Sequence, residues 1–452
     1  MTPTVGTGST GHKLLTRRTF ALYHFQMIDI FTFAVAAAII YNAYGSYTQV
    51  NSLMKILLLT KKFPYPTKDG ESIAVHSLSK QLLSLGAEVH LLSMNTTKHY
   101  TDVSAVRPHI GQYASVTTCP VDNKITVWAA LQNLFSGESY HISRFALKSY
   151  SNELQKLLTT HKFDVVLLES VYLTPYIADI REASKASVVM RAHNIEYEIW
   201  QRIANNSTNP LKKWYLGLQV GRLRAYEHSQ LALLDGLITF THRDMEKYCA
   251  AGYQGPELVS PIGINTEEYK YDLKLPQQET VAFIGSLDWQ PNIEGLQWFL
   301  NKVWPLVIAA RPQAECHIAG RNPSRAIMDI SQAGVVIHGE VGDAQVYVRS
   351  HPISIVPLLS GSGMRVKILE AMALARCTVT TSVGAEGIDT STMLVADDPA
   401  TFASHIITVL VDKKQQKKLG RRAADYCARH YDARSNAESV FRFLKQIVAK
   451  HS

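Results

Sequence analysis

Pro357-Leu-Leu-Ser-Gly-Ser-Gly-Met-Arg-Val-Lys-Ile-Leu-Glu-Ala-Met-Ala373 reads as the end of a buried strand, a glycine-rich turn and the start of a helix. Gly361 and Gly363 let the backbone turn tightly and come close to a ligand, and the free N–H groups that open a helix favour an anion. No Gly-Lys-Ser/Thr ending follows, so the loop is not a Walker A element. Val366 stands where a dinucleotide fingerprint would have its third glycine. Arg365 and Lys367 add two cations beside the helix start, and Glu370 follows one turn later. An ordinary ion pair between Lys367 and Glu370 on an exposed face is the plainer reading. A Gly-x-Gly turn with two cations exceeds what surface solvation needs, so the segment is read as a phosphate site.

Working outward, the same strand-then-helix rhythm recurs along the chain, which is the pattern of parallel sheets covered by helices. In the first half, strands are expected at Ile56–Leu59, Glu88–Leu92, Val165–Glu169, Ser187–Arg191 and Leu237–Phe240. Leu211–Leu234 reads as a long amphipathic helix, better suited to packing than to facing a membrane. Residues 254–279 are rich in Gly, Pro and charge and read as a connection. A second set of strands is expected at Val281–Ile284, Glu315–Ile318, Val335–Ile337, Ile353–Pro357, Thr378–Thr381 and Met393–Val395, followed by closing helices. Single cores stop growing near ~250 to 300 residues, so 452 residues imply two domains. Two doubly wound α/β domains would set a cleft between the carboxyl ends of their strands.

Composition narrows the function classes. Hydrophobic residues at 46% and charged residues at 19% describe a globular chain. The net charge of +8 is spread without a basic block, so solubility is preferred over nucleic-acid binding. The five cysteines are scattered with no C-x-x-C pair, which indicates neither a disulfide framework nor a zinc site and fits a cytoplasmic setting. Met54 opens a buried strand directly, so residues 1–53 read as an extension, either disordered or upstream of the true start. Its apolar run, Phe31–Ile40, is shorter than the ~20 residues of a membrane helix. Thr16-Arg17-Arg18-Thr19-Phe20 is similar to a twin-arginine signal, yet export would part the protein from cytoplasmic substrates.

Several ordered segments together resemble the family 4 glycosyltransferases, of GT-B fold. These are Phe63-Pro-Tyr-Pro66 with Gly70, Arg191-Ala-His-Asn-Ile-Glu196, Phe283-Ile-Gly-Ser-Leu-Asp-Trp-Gln-Pro-Asn292, Gly361 to Glu370, and Ser382-Val-Gly-Ala-Glu-Gly387. The resemblance runs from Met54 to the end. It implies two Rossmann-like domains facing each other across a cleft: residues 54–262 on the acceptor side and 263–433 holding the donor nucleotide. A last helix, 434–452, would pack back toward the first domain.

The resemblance also implies roles. Glu370 matches the glutamate that accepts hydrogen bonds from the donor ribose. Ser362 occupies the place where many members carry another glutamate, and Ser286-Leu-Asp-Trp-Gln290 replaces the family's usual Arg and Lys, so Arg365 and Lys367 are expected to hold the diphosphate. Gly285, Gly361, Ser362, Gly363 and Val341, the last beside the nucleobase, complete the donor side. His193 is expected to contact the reacting sugar or the acceptor, and Gly70 to let the first loop approach the cleft. Asp288 and Asn292 read as a turn and a helix cap. The expected partners are a nucleotide-sugar donor and a glycan, lipid-linked or small-molecule acceptor, with peripheral membrane contact a further option and no nucleic acid. No metal or other cofactor is expected, since neither Asp-x-Asp nor a zinc motif occurs. The implied activity is retaining glycosyl transfer in surface-polysaccharide or glycoconjugate synthesis. A nucleotide-sugar epimerase of the same architecture and a non-catalytic nucleotide-sugar-binding subunit are the alternatives.

Overall fold

The computed structural model describes residues 53–451 except 68, 123–132, 134, 135, 270, 272–275, 277 and 362. Residues 1–52 of the extension and Ser362 therefore lie outside the described residues, and Met54–Ser452 forms one compact unit.

Two wholly parallel sheets carry that unit. The first has seven strands in the order β3-β2-β1-β4-β5-β6-β7, namely β1 (Lys55–Thr60), β2 (Glu88–Thr96), β3 (Ser115–Val121), β4 (Val165–Leu168), β5 (Ser187–Ala192), β6 (Gly236–Thr239) and β7 (Glu257–Val259). The second has six, β10-β9-β8-β11-β12-β13, from β8 (Thr280–Ile284), β9 (Glu315–Ala319), β10 (Val335–Gly339), β11 (Ile353–Val356), β12 (Cys377–Thr380) and β13 (Leu394–Val395). The central strands are uninterrupted apolar runs because helices cover both faces. Ile56, Leu57, Leu59, Val165 and Val166 have no exposed surface at all.

Both sheets reverse their winding beside their first strand, β1 against β4 and β8 against β11. Loops leaving such neighbouring strands diverge and open a crevice at the carboxyl edge, where ligands bind in doubly wound sheets. The chain crosses between the sheets twice at one place. Ile264 donates its N–H to Tyr431 O at 2.7 Å, and Ala433 donates to Ile264 O at 3.0 Å. Past this crossing, the Ala433–His451 helix lies against the Gly70–Ser84 helix and β5, with Val440, Phe443, Leu444 and Ile447 in one core with Ile56 and Val89.

Candidate functional site

The glycine-rich turn leaves β11 in a conformation that only glycine adopts at low cost, with φ of 114° at Gly361 and 80° at Gly363. Arg365 is the N-cap residue of the Val366–Ala373 helix and folds back under the turn. A β-carbon on Gly361 would sit 2.8 Å from its Nη2. Arg365 is 7% exposed. Burial brings its guanidinium down to about 10, with the Glu386 carboxylate acting to raise it and Arg202 to lower it.

Lys367 runs across to the end of β8. Its Nζ donates to Asn292 Oδ1 at 3.0 Å and lies 4.5 Å from the centre of the Phe283 ring. Gly285 makes room for it, since a β-carbon there would stand 2.6 Å from Nζ. The amine thus reaches the stretch Ser286–Gln290 that itself carries no cation. Asn292 is not a cap, contrary to the sequence reading. Trp289 precedes the Gln290–Trp298 helix, while Asn292 lies inside it and donates to Ser286 O at 2.7 Å as it accepts from Lys367. Asp288 does sit in a turn, accepting the Ser286 hydroxyl at 2.7 Å.

Glu370 does not pair with Lys367. It accepts the Tyr269 hydroxyl on Oε1 at 2.9 Å, and burial pushes its carboxyl up, against the opposing pull of Tyr269 and Lys367. Tyr269, in the crossing segment, went unnoticed in the sequence because nothing local marks a contact made 101 residues away. Val341 packs with Ala371 and Leu374 of the same helix, beside Tyr347 and Tyr269.

The first half contributes the opposite wall. His193 follows β5, is 7% exposed, and shares a 2.5 Å hydrogen bond between Nε2 and Glu169 Oε2, which also accepts from Arg191 Nε at 3.0 Å. Glu169, fully buried at the end of β4, was read in the sequence only as a strand terminus. Phe240 lies 4.8 Å from the His193 ring. Asp69 caps the helix that Gly70 begins, forming a reciprocal box with Ser72. Glu71 follows. Burial pushes its carboxyl up, but Lys61, Lys62 and His193 together hold it below the usual range.

The two walls touch. A β-carbon on Gly363 would overlap the Asn194 side-chain oxygen, and one on Gly70 would meet Val366 Cγ2 at 3.2 Å. Arg202, from the Glu196–Asn205 helix, donates through Nη1 to Gly361 O and forks onto Glu386 with both contacts at 3.2 Å. Arg243 reaches the same carboxylate at 3.0 Å. Arg202 and Arg243 carry no motif, and only the fold brings them to the glycine-rich turn.

Comparison with known proteins agrees with this geometry. Residues 278–412 match the family described as Glycosyl transferases group 1. A Klebsiella pneumoniae relative, an uncharacterized 44.6 kDa protein in the cps region, is 24% identical, the match covering 86% of this chain and all of the relative. Among solved structures, sucrose-phosphate synthase from Thermosynechococcus elongatus superposes with a TM-score of 0.64 at 16% identity, covering 88% of this chain and all of that one. TarM from S. aureus, solved with UDP and alpha-GlcNAc-glycerol, gives 0.63 at 9% identity, over 87% of this chain and all of that one. Anabaena HepE, solved with UDP and glucose, gives 0.58 at 12% identity, over 87% of this chain and 99% of that one. With two parallel Rossmann-like sheets the chain has the GT-B fold, and its second half carries a segment that matches the Glycosyl transferases group 1 family.

Proposed function

We propose that the chain moves a glycosyl group from a nucleoside diphosphate sugar to a hydroxyl acceptor with retention of configuration and without a metal, in polysaccharide or glycoconjugate assembly. The observation that carries this is the Gly361 to Glu370 segment, which sets buried Arg365, partly buried Lys367 and the Glu370 carboxylate along one helix start. The domain assignment follows: residues 54–262 serve the acceptor, 263–433 the donor nucleotide, and 434–452 complete the first domain. The cps-region relative supports the biosynthetic setting, and the UDP-bound neighbours support the donor class.

In this reading the acceptor oxygen bonds to the anomeric carbon on the face from which the diphosphate departs. The C–O bond to the β-phosphate breaks, its electron pair stays with the phosphate oxygen, and that oxygen takes the acceptor proton. Arg365 and Lys367 face the growing phosphate charge, each worth ~3 kcal/mol by comparison with one oxyanion donor. Glu370 orients the ribose, Val341 lies beside the base, and Gly285, Gly361 and Gly363 bring backbone close to phosphate. His193, fixed by Glu169, positions the transferred sugar or the acceptor, with Gly70 at the entrance.

The test is mass spectrometry of the purified protein incubated with UDP-, GDP- and dTDP-sugars and membrane lipid extract. One donor consumed and one glycosylated product formed is the expected result, lost in Arg365→Ala and Lys367→Ala. Nucleotide binding without transfer would leave a binding subunit, and isomerised donor an epimerase.

A further inference from the structure

The Pro210–Gln230 helix has two apolar faces, and the described residues cover one of them. Leu216, Val220 and Leu223 are buried, together with Gln219 and Glu227. On the opposite side, Leu211 is 77% exposed, Trp214 64% and Leu218 37%. At about 100° per residue these three fall on one stripe, continued by exposed Gly217, Gly221 and Ala225. A surface helix ordinarily turns polar residues outward, so an apolar stripe of this length marks a surface that meets something.

The two glycines point the same way. Glycine inside a helix costs about 1 kcal/mol relative to alanine. Added β-carbons at 217 and 221 would meet no atom of the described residues within 4 Å, so packing among those residues does not call for them. They leave a shallow face beside the Trp214 ring.

The flanking charge is of one sign. Positions 210–226 hold Lys212, Lys213, Arg222 and Arg224 and no acidic residue. Trp and Leu on one face with Lys213, Arg222 and Arg224 along its borders is the chemistry of a helix lying in the headgroup layer of an anionic bilayer. A protein partner fits less well, since interface cores are depleted in lysine. No helix among the described residues is long and apolar enough to cross a membrane, so the contact is with the surface.

We propose that the outward face of this helix docks the protein on an anionic lipid surface. Asn206, just ahead of the helix, donates to Glu294 of the second half at 3.4 Å, so the docking face begins beside the cleft. A lipid-borne acceptor would then be presented to the site at the bilayer surface.

The full-length chain is tested by co-sedimentation with vesicles of phosphatidylcholine alone and with added phosphatidylglycerol. Binding is expected to the anionic vesicles only and to weaken with salt. The triple variant Leu211→Ser, Trp214→Ser, Leu218→Ser and the double variant Lys213→Glu, Arg224→Glu should each lose about tenfold or more, at roughly a kcal/mol per cation. Both should keep the wild-type melting temperature and UDP affinity, which separates lost docking from lost fold. Residues 1–53 are common to every protein compared, so differences report on the helix. Wild-type failure to bind, variants that bind equally, or a wild-type dimer that the triple variant dissociates would each overturn the proposal.

Discussion

Burial and the neighbouring Arg365 bring the Lys367 ammonium down to about 7, with Glu370 acting in the opposite sense. Above that pH the free site holds a largely neutral amine, and an arriving diphosphate raises its proton affinity. UDP binding near pH 7.5 should therefore take up a proton, an uptake that fades as the pH falls well below 7, where the amine is already charged. Calorimetry in buffers of differing ionisation enthalpy measures it. Lys367→Met should abolish the uptake and weaken UDP binding about ten- to a hundredfold, the worth of one charged hydrogen bond. Equal uptake in the variant would assign the proton elsewhere. Tyr269 controls the other end of the segment. Its hydroxyl acts to lower the Glu370 carboxyl, so Tyr269→Phe lets burial push that carboxyl higher. In the role proposed for Glu370 the ionised form accepts ribose hydrogen bonds, so binding is present above the folded value of its carboxyl and lost as pH falls through it. The acid limb of UDP affinity should move to higher pH in Tyr269→Phe, and an unmoved limb would remove Tyr269 from ribose recognition.

Among the elements, those built on strong apolar runs were legible in the sequence, as were the edge strands β10 and β13 of the second sheet, whereas the edge strands β3 and β7 of the first were not. The central strands β1, β4, β5, β8 and β11 announce themselves because both faces are buried. The outer strand β3, Ser-Val-Thr-Thr-Cys-Pro-Val, carries a proline and half-buried threonines and was missed. The three-residue β7 lies inside the stretch read as a connection, its Glu257 exposed on the sheet's edge. The glycine-rich turn with its two cations was readable because glycine and charge sit at fixed local spacing, whereas Arg202, Glu169 and Tyr269 act through contacts that spacing cannot show. Glu227 is a further hidden element. Fully buried, it accepts the backbone N–H groups of Glu196 and Tyr197 at 3.3 and 3.2 Å and so fixes the start of the Arg202 helix. Burial, reinforced by Glu196, pushes its carboxyl up to about 8. A carboxyl raised on folding stabilises the fold at low pH and loses that contribution as pH rises from its unfolded value through about 8, at no more than about 1.4 kcal/mol per unit. Wild-type melting temperature should decline from pH 5.5 to 8.5, and Glu227→Gln should flatten the decline. Parallel profiles would show that Glu227 does not titrate there.

At the scale of the whole molecule, the glycine-rich turn belongs to the second sheet but is held from the first. Gly363 rests on Asn194, and the Gly361 carbonyl is taken by Arg202, whose fork on Glu386 is shared with Arg243. These residues are only partly exposed, with Glu386 side-chain exposure at 12%, so salt screens them less than surface pairs. Glu386→Gln would remove one of the two carboxylates that Arg202 and Arg243 share, leaving Glu198, and would raise the positive charge facing Arg365 across the cleft. Repulsion should then part the walls. The radius of gyration from solution scattering should increase in this variant without nucleotide and return toward wild type with UDP, because the diphosphate restores the missing negative charge. Steady-state kinetics should show KM for the donor rising about tenfold or more, with kcat little changed once donor saturates, since the loss falls on assembling the site. Arg202→Ala removes a cation as well as the grip on Gly361, so its scattering change should be smaller and its donor KM higher than in Glu386→Gln. If both variants keep the wild-type radius and KM, the cross-cleft contacts are packing alone, and closure is governed by the Ile264 and Ala433 crossing instead.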